Sequence, residues 1–377
     1  MPYETHGFKF HCKYCLQICS LENWKPTKEG YFVLDHVPTF IETLRIVNLK
    51  IPSINAKFLS EIRPPLQGLI VESSNAVKAL HVSANSTVEG IKISNSPINC
   101  LQFENNTALQ KLTIDYSDLN VIAPSLASLS NLKILRLAFA AIELLDLRIF
   151  YGMNTLIELN FSSNNIKQLF SSAAASNTTG KRELKNFRLS DNKLAMIDLD
   201  LFEPFHMLAM IDISWNKVES ISGTLSNPQL QWLCLSQNRI TSLSFCTWQG
   251  NENSFVLSAS YNRLTRVPSC LTKFPNTVEI RLSHNNILHV DMKDFDGLAN
   301  LREIDLAGNR MLSLAFWEDV LFPKLRTLFL YENCMCRLNG SEHIVERMPR
   351  LQILFNQLDE PCTDMCLEGE KVDNKQL

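Results

Sequence analysis

Residues 301–311 read Leu301-Arg302-Glu303-Ile304-Asp305-Leu306-Ala307-Gly308-Asn309-Arg310-Met311, with aliphatic side chains at the first, fourth, sixth and last positions and an asparagine at the ninth. One unit later the same frame holds Leu325, Leu328, Leu330, Asn333 and Met335. Moving backwards it holds Leu230, Leu233, Leu235, Asn238 and Ile240, then Leu208, Ile211, Ile213, Asn216 and Val218. Further copies put asparagine at 164, 192, 262 and 285, so eight frame asparagines follow one another at intervals of 28, 24, 22, 24, 23, 24 and 24 residues. One such frame describes any buried strand or helix face. Eight in phase at a fixed period describe stacked coils, each burying its apolar side against its neighbours.

The alternation Leu-x-Leu is that of a short strand with leucines inward and the intervening side chain outward. The asparagine that follows carries both donor and acceptor groups, which suits it to satisfy backbone groups left unpaired where the coil bends. The first half keeps the aliphatic positions and loses the asparagine: Ala140, Ser117 and Ser96 stand in its place, and earlier frames start at Leu66 and Ile41. Thirteen frames are counted between residues 41 and 335. Serine replaces only part of the asparagine's bonding, so the stretch before Asn164 is expected to be less regular and locally less stable. The return paths carry apolar residues at spacing three, as in Leu199, Phe202, Phe205 and Leu208 or Phe295, Leu298 and Leu301. That spacing predicts helical or 3₁₀ turns with phenylalanine filling the coil. The long interval before Asn192 contains a Ser/Ala/Thr-rich stretch near 171–182, read as a loop insertion.

Seven of the eleven cysteines cluster at the two ends, with Cys12, Cys15 and Cys19 at the start and Cys334, Cys336, Cys362 and Cys366 near the finish. Terminal coils lack a covering neighbour, so this distribution predicts stapled caps in an oxidising compartment. The expected organisation is an N-terminal cap over 1–40, repeats over 41–335, a C-terminal cap over 336–366 and a polar tail over 367–377. Residues 1–10 contain no apolar stretch resembling a secretory signal, which the cysteines reconcile with export only if the N-terminus is incomplete. No apolar run is long enough to span a bilayer. Basic residues number 36 against 39 acidic, with no long basic run, which argues against nucleic acid as partner.

On these frames the chain resembles the leucine-rich-repeat proteins, over about three hundred residues. The unit length and phenylalanine position are similar to the extracellular subtype that includes Toll-like receptors and secreted immune solenoids. The resemblance implies an α/β solenoid, a horseshoe with a parallel concave sheet and an irregular, 3₁₀ or short helical convex side. It also implies a recognition role toward proteins, lipids or glycans. Asn333-Cys334-Met335-Cys336 followed by Cys362 and Cys366 resembles the cysteine cap of extracellular arrays, although the usual N-P-x-x-C-x-C lacks its proline here; four cysteines leave three connectivities open. More narrowly, irregular early repeats, an asparagine ladder and a variant cap are similar to the leucine-rich immune proteins of mosquitoes, in a short or coil-less form.

The outward positions nominate a ligand surface. Trp215, Tyr261 and His284 precede frame asparagines, Trp232 occupies a neighbouring exposed position, and Phe329 and Tyr331 continue the aromatic set. Such residues dominate protein interfaces, while side chains in columns on a sheet also simply stack. Sequons occur at Asn85, Asn105, Asn160, Asn177 and Asn339; Asn160 is read at the exposed centre of a strand, where a glycan would obstruct the concave face. His11 with Cys12, Cys15 and Cys19 offers a zinc-like donor set, but its spacing is too tight for the usual separated pairs and favours capping disulfides. Cys246 and Cys270 each stand eight residues after a frame asparagine, which predicts a disulfide between adjacent coils, with two free apolar fillers as the alternative. No catalytic motif or cofactor-binding fingerprint is present. The function expected is a secreted, non-catalytic recognition module, innate-immune or adaptor in role, binding a protein or a microbial or host surface ligand on its concave face. The alternative is an intracellular repeat scaffold for protein–protein interaction.

Overall fold

The computed structural model describes residues 7–63, 66–171, 182–317, 322–335, 348 and 350–355. The chain is a leucine-rich-repeat solenoid, divided into two compact units at Lys193 and Leu194. In the first unit, parallel strands Ile18–Glu22, Thr43–Val47, Gly68–Glu72, Gly90–Ser94, Lys111–Asp115, Ile134–Ala138, Glu158–Asn160 and Asn186–Arg188 follow one another in chain order. Lys9–Lys13 joins the outer edge antiparallel. In the second unit the parallel strands are Met210–Asp212, Trp232–Cys234, Phe255–Ser258, Thr277–Arg281, Glu303–Asp305, Thr327–Phe329 and Gln352–Leu354.

The frame's aliphatic positions are the core. Leu301, Ile304, Leu306 and Met311 are fully buried, as are their equivalents in other coils, and each such side chain contributes about 2 kcal/mol on leaving water. The frame asparagines bridge coils. Asn262 donates through Nδ2 to Leu235 O at 2.9 Å and Ala259 O at 3.1 Å, and its Oδ1 accepts from Ile240 N–H at 3.0 Å. Asn238, Asn285 and Asn309 repeat this three-way pattern.

On the return side, the 3₁₀ turns Leu147–Phe150, Leu199–Phe202 and Met292–Phe295 each begin after an aspartate whose carboxylate accepts a backbone N–H two residues on. Phe150, Phe202 and Phe295 fill the coil interior. Second, smaller parallel sheets also form there, which the sequence reading did not anticipate. Ser53–Ile54, Ala79–Val82 and Cys100–Phe103 form one in the first unit, and His289–Asp291 pairs with Ser313–Ala315 in the second.

The stretch before Asn164 has the longer strands. Seven of its strands run to five residues, against three for most strands of the second unit. Ser74 explains part of this: its Oγ accepts Leu49 N–H at 2.9 Å and donates to Glu72 O, while Ser96 Oγ accepts Ser74 N–H at 3.1 Å. The isoleucine- and valine-rich strands supply the rest, because β-branched side chains suit a pleated surface. The segment assigned to the N-terminal cap contributes a coil of its own, with strand Ile18–Glu22 and buried Trp24.

Cys12 and Cys19 are cross-strand partners in the terminal hairpin and are bridged. Cys15, expected in a capping bridge, is instead a free exposed thiol, because it sits in the turn between the two strands and faces solvent. Cys246 and Cys270 are bridged, with Cα atoms 5.0 Å apart. Cys334 is disulfide-bonded, whereas Cys336, Cys362 and Cys366 lie outside the described residues, as do sequons Asn177 and Asn339.

Candidate functional site

The residue before each frame asparagine, or before its substitute, has left-handed backbone. In the second unit these stations are Trp215, Gln237, Tyr261, His284, Gly308 and Glu332, with φ between 53° and 64°. An L-residue in this region loses roughly 1–2 kcal/mol. Neighbouring coils hold five of these stations there through the station's N–H, which donates across: Trp215 to Ser236 O, Gln237 to Ser260 O, Tyr261 to Ser283 O, His284 to Ala307 O and Gly308 to Tyr331 O, at 2.8–2.9 Å. The sequence carried a signal for this geometry in Asn48, Asn95 and Gly308, residue types that tolerate φ > 0.

The turn projects the aromatics outward. Trp215 is 61% exposed, Tyr261 47% and, on its strand, Trp232 42%. Trp232 stands between Met210 and Val256 in register. His284 is half-buried because its ring stacks on Tyr261, with centroids 4.2 Å apart and planes at 18°. On its other side the ring leans over Gly308, where a Cβ would overlap it. Phe329 and Tyr331 are half-buried and meet edge to face at 6.2 Å. The six sequence candidates thus divide: the two tryptophans present open rings, Tyr261 is exposed but has one face stacked on His284, and His284, Phe329 and Tyr331 are partly occupied by packing. The first unit carries a comparable pair in Tyr116 and Phe139, stacked at 4.4 Å.

Between these aromatics lies a polar floor. Ser236 and Ser258 Oγ are hydrogen-bonded at 2.8 Å, and Ser283 Oγ donates to Ser260 Oγ at 2.9 Å. Asp212 accepts from Ser214 N–H, and Asp305 from Ala307 N–H. Glu279 sits beside Glu303 and Arg281 beside Asp305; Arg281 pairs with Glu279. Partial burial, and then the Glu279 charge, raise the pKa of the Glu303 carboxyl above the ordinary glutamate range.

Asn160 is a correction. It is buried, at 3% exposure, because it lies between Arg136 and Arg188 on the adjacent strands, and its Oδ1 accepts Ser162 N–H. A glycan there has no open path to solvent. Asn85 and Asn105 are exposed. Among the described residues no group of three His, Cys, Asp or Glu is placed to hold a metal ion, and no helix is long and apolar enough to cross a membrane.

Residues 256–311 match the leucine rich repeat family model. Among curated proteins, the chain is 29% identical to chaoptin of Drosophila melanogaster over 49% of its own length and 14% of chaoptin's. It spans a fifth or less of each of the first six relatives. Among solved structures it is similar to a leucine-rich-repeat protein of Leptospira interrogans, with 18% identity, TM-score 0.59 and coverage of 89% and 88% of the two chains. It is also similar to a chain of the LRIM1/APL1C complex, with 16% identity, TM-score 0.57 and coverage of 94% and 72%. At these identities the likeness is one of fold.

Proposed function

We propose that this chain is a secreted, non-catalytic recognition module of innate-immune or adaptor type that binds a protein or surface ligand through the outward sheet face of its second unit. The observation carrying the proposal is the exposure of Trp215, Trp232 and Tyr261 on a scaffold whose asparagines are bonded across coils. Large rings offered by a rigid backbone bind with little ordering cost. Disulfides at Cys12–Cys19 and Cys246–Cys270 support an oxidising compartment. The free exposed thiols Cys15 and Cys100 favour the alternative, an intracellular scaffold. Affinity capture from extracellular fluid tests the reading: wild type should retain a partner that the Trp215→Ala/Trp232→Ala/Tyr261→Ala variant loses. Equal capture by a correctly folded variant refutes the surface, and a partner found only in cell lysate favours the scaffold.

A further inference from the structure

The main-sheet strands of the second unit carry four outward carboxylates, Asp212, Glu279, Glu303 and Asp305, against one guanidinium, Arg281, which is already paired with Glu279. The first unit is built otherwise: its Arg45, Arg136 and Arg188 are matched by Glu72, Asp115 and Glu158. Arg302 and Arg326 stand one residue before the second unit's strands, at the margin of the acidic set, and are exposed. The four carboxylates are half-buried, so each has lost part of its hydration. Glu279 and Glu303 are direct neighbours across two strands, an arrangement in which like charges repel. Burial first, and then the Glu279 charge, raise the Glu303 carboxyl. A cation brought to the face would relieve both the repulsion and the missing hydration.

We propose that this face docks a basic polypeptide segment, whose lysine or arginine groups lie against Glu303 and Asp305 and whose stems or guanidinium planes cover Trp232 and Tyr261. The inference rests on the recognition reading above and names its partner's chemistry. Aromatic faces attract cations as well as burying apolar stems, so the rings and the carboxylates select the same side chains. A neutral glycan would use the rings and leave the carboxylate repulsion in place.

The test uses the full chain and a fluorescently labelled nona-arginine peptide, with nona-glutamate and chitohexaose as controls. Glu303→Gln/Asp305→Asn keeps shape and removes two charges; Glu72→Gln/Glu158→Gln removes two charges from the first unit. Binding of nona-arginine should weaken by about tenfold or more in the first variant and by less than about twofold in the second, with no binding of nona-glutamate. Equal weakening in both variants overturns the proposal, as does binding of chitohexaose that depends on Trp232 while nona-arginine binding is unaffected by either variant. A captured native partner separates the two readings. If Trp215→Ala/Trp232→Ala/Tyr261→Ala loses it and Glu303→Gln/Asp305→Asn retains it, the recognition surface stands and the basic segment does not. If both variants retain it, the surface itself is wrong.

Discussion

Single residues in this solenoid act through the coil next door. Asn262 satisfies two carbonyls and one N–H, all buried, on two coils. Asn262→Ala would strand those groups, and a loss of about 3 kcal/mol is expected, since each unsatisfied buried group costs roughly 1–3 kcal/mol. Denaturant unfolding would measure it, and a loss below about 1 kcal/mol would show that water replaces the side chain. Gly308 has the opposite sensitivity. Its φ of 64° and the ring of His284 above it leave no room for a methyl group. Gly308→Ala should therefore destabilise and also disturb the Tyr261–His284 stack, visible as changed ring chemical shifts. Gln237→Gly, at a φ of 59°, should be neutral or stabilising, because glycine adopts left-handed backbone without the strain of a side chain.

At the scale of the element, the Cys246–Cys270 disulfide ties one return path to the next, with a sequence separation of 24 residues. The loop-entropy model assigns such a closure about 3 kcal/mol. Cys246→Ser/Cys270→Ser should accordingly lower Tm, and reduction of the wild type should approach the same value; no change in either would mean that the coils alone fix the path. Strand pairing also sets a pH effect. Because the Glu303 carboxyl is raised in the folded protein, the folded state keeps its proton to higher pH than the unfolded chain does. Its contribution is therefore lost as pH rises from the ordinary glutamate value through the raised one. Glu303→Gln should raise Tm near pH 7 and leave it almost unchanged near pH 3.5, below both values. A Tm gain of the same size at both pH values would assign the effect to packing.

For the whole molecule, the distribution of thiols is the most direct readout. Alkylation of the native protein without reductant should modify Cys15 and Cys100, which are free and exposed, and should leave Cys12, Cys19, Cys246 and Cys270 unmodified. Peptide mapping distinguishes these sites. Modification of Cys246 or Cys270 would contradict the bridge, and complete labelling of all cysteines would contradict an oxidising compartment.

The repeat frame, the buried aliphatic positions, the cross-coil role of the asparagines and the neighbouring stations of Cys246 and Cys270 were all legible in the residues, because a fixed period forces equivalent residues into register. Exposure of Trp215, Trp232 and Tyr261 was legible for the same reason. What the period could not convey depends on neighbours far away in sequence. Whether Asn160 is open depends on the side chains of Arg136 and Arg188 beside it. Whether Cys15 has a partner depends on the hairpin register that joins Cys12 to Cys19. The left-handed turn that aims the aromatics outward is held by hydrogen bonds from the next coil, and the crowding at Glu303 arises from Glu279, one coil earlier. A repeat pattern specifies which way a residue faces; the stacking of coils decides what it meets there, since burial and charge are properties of neighbours that only the packed sheet brings together.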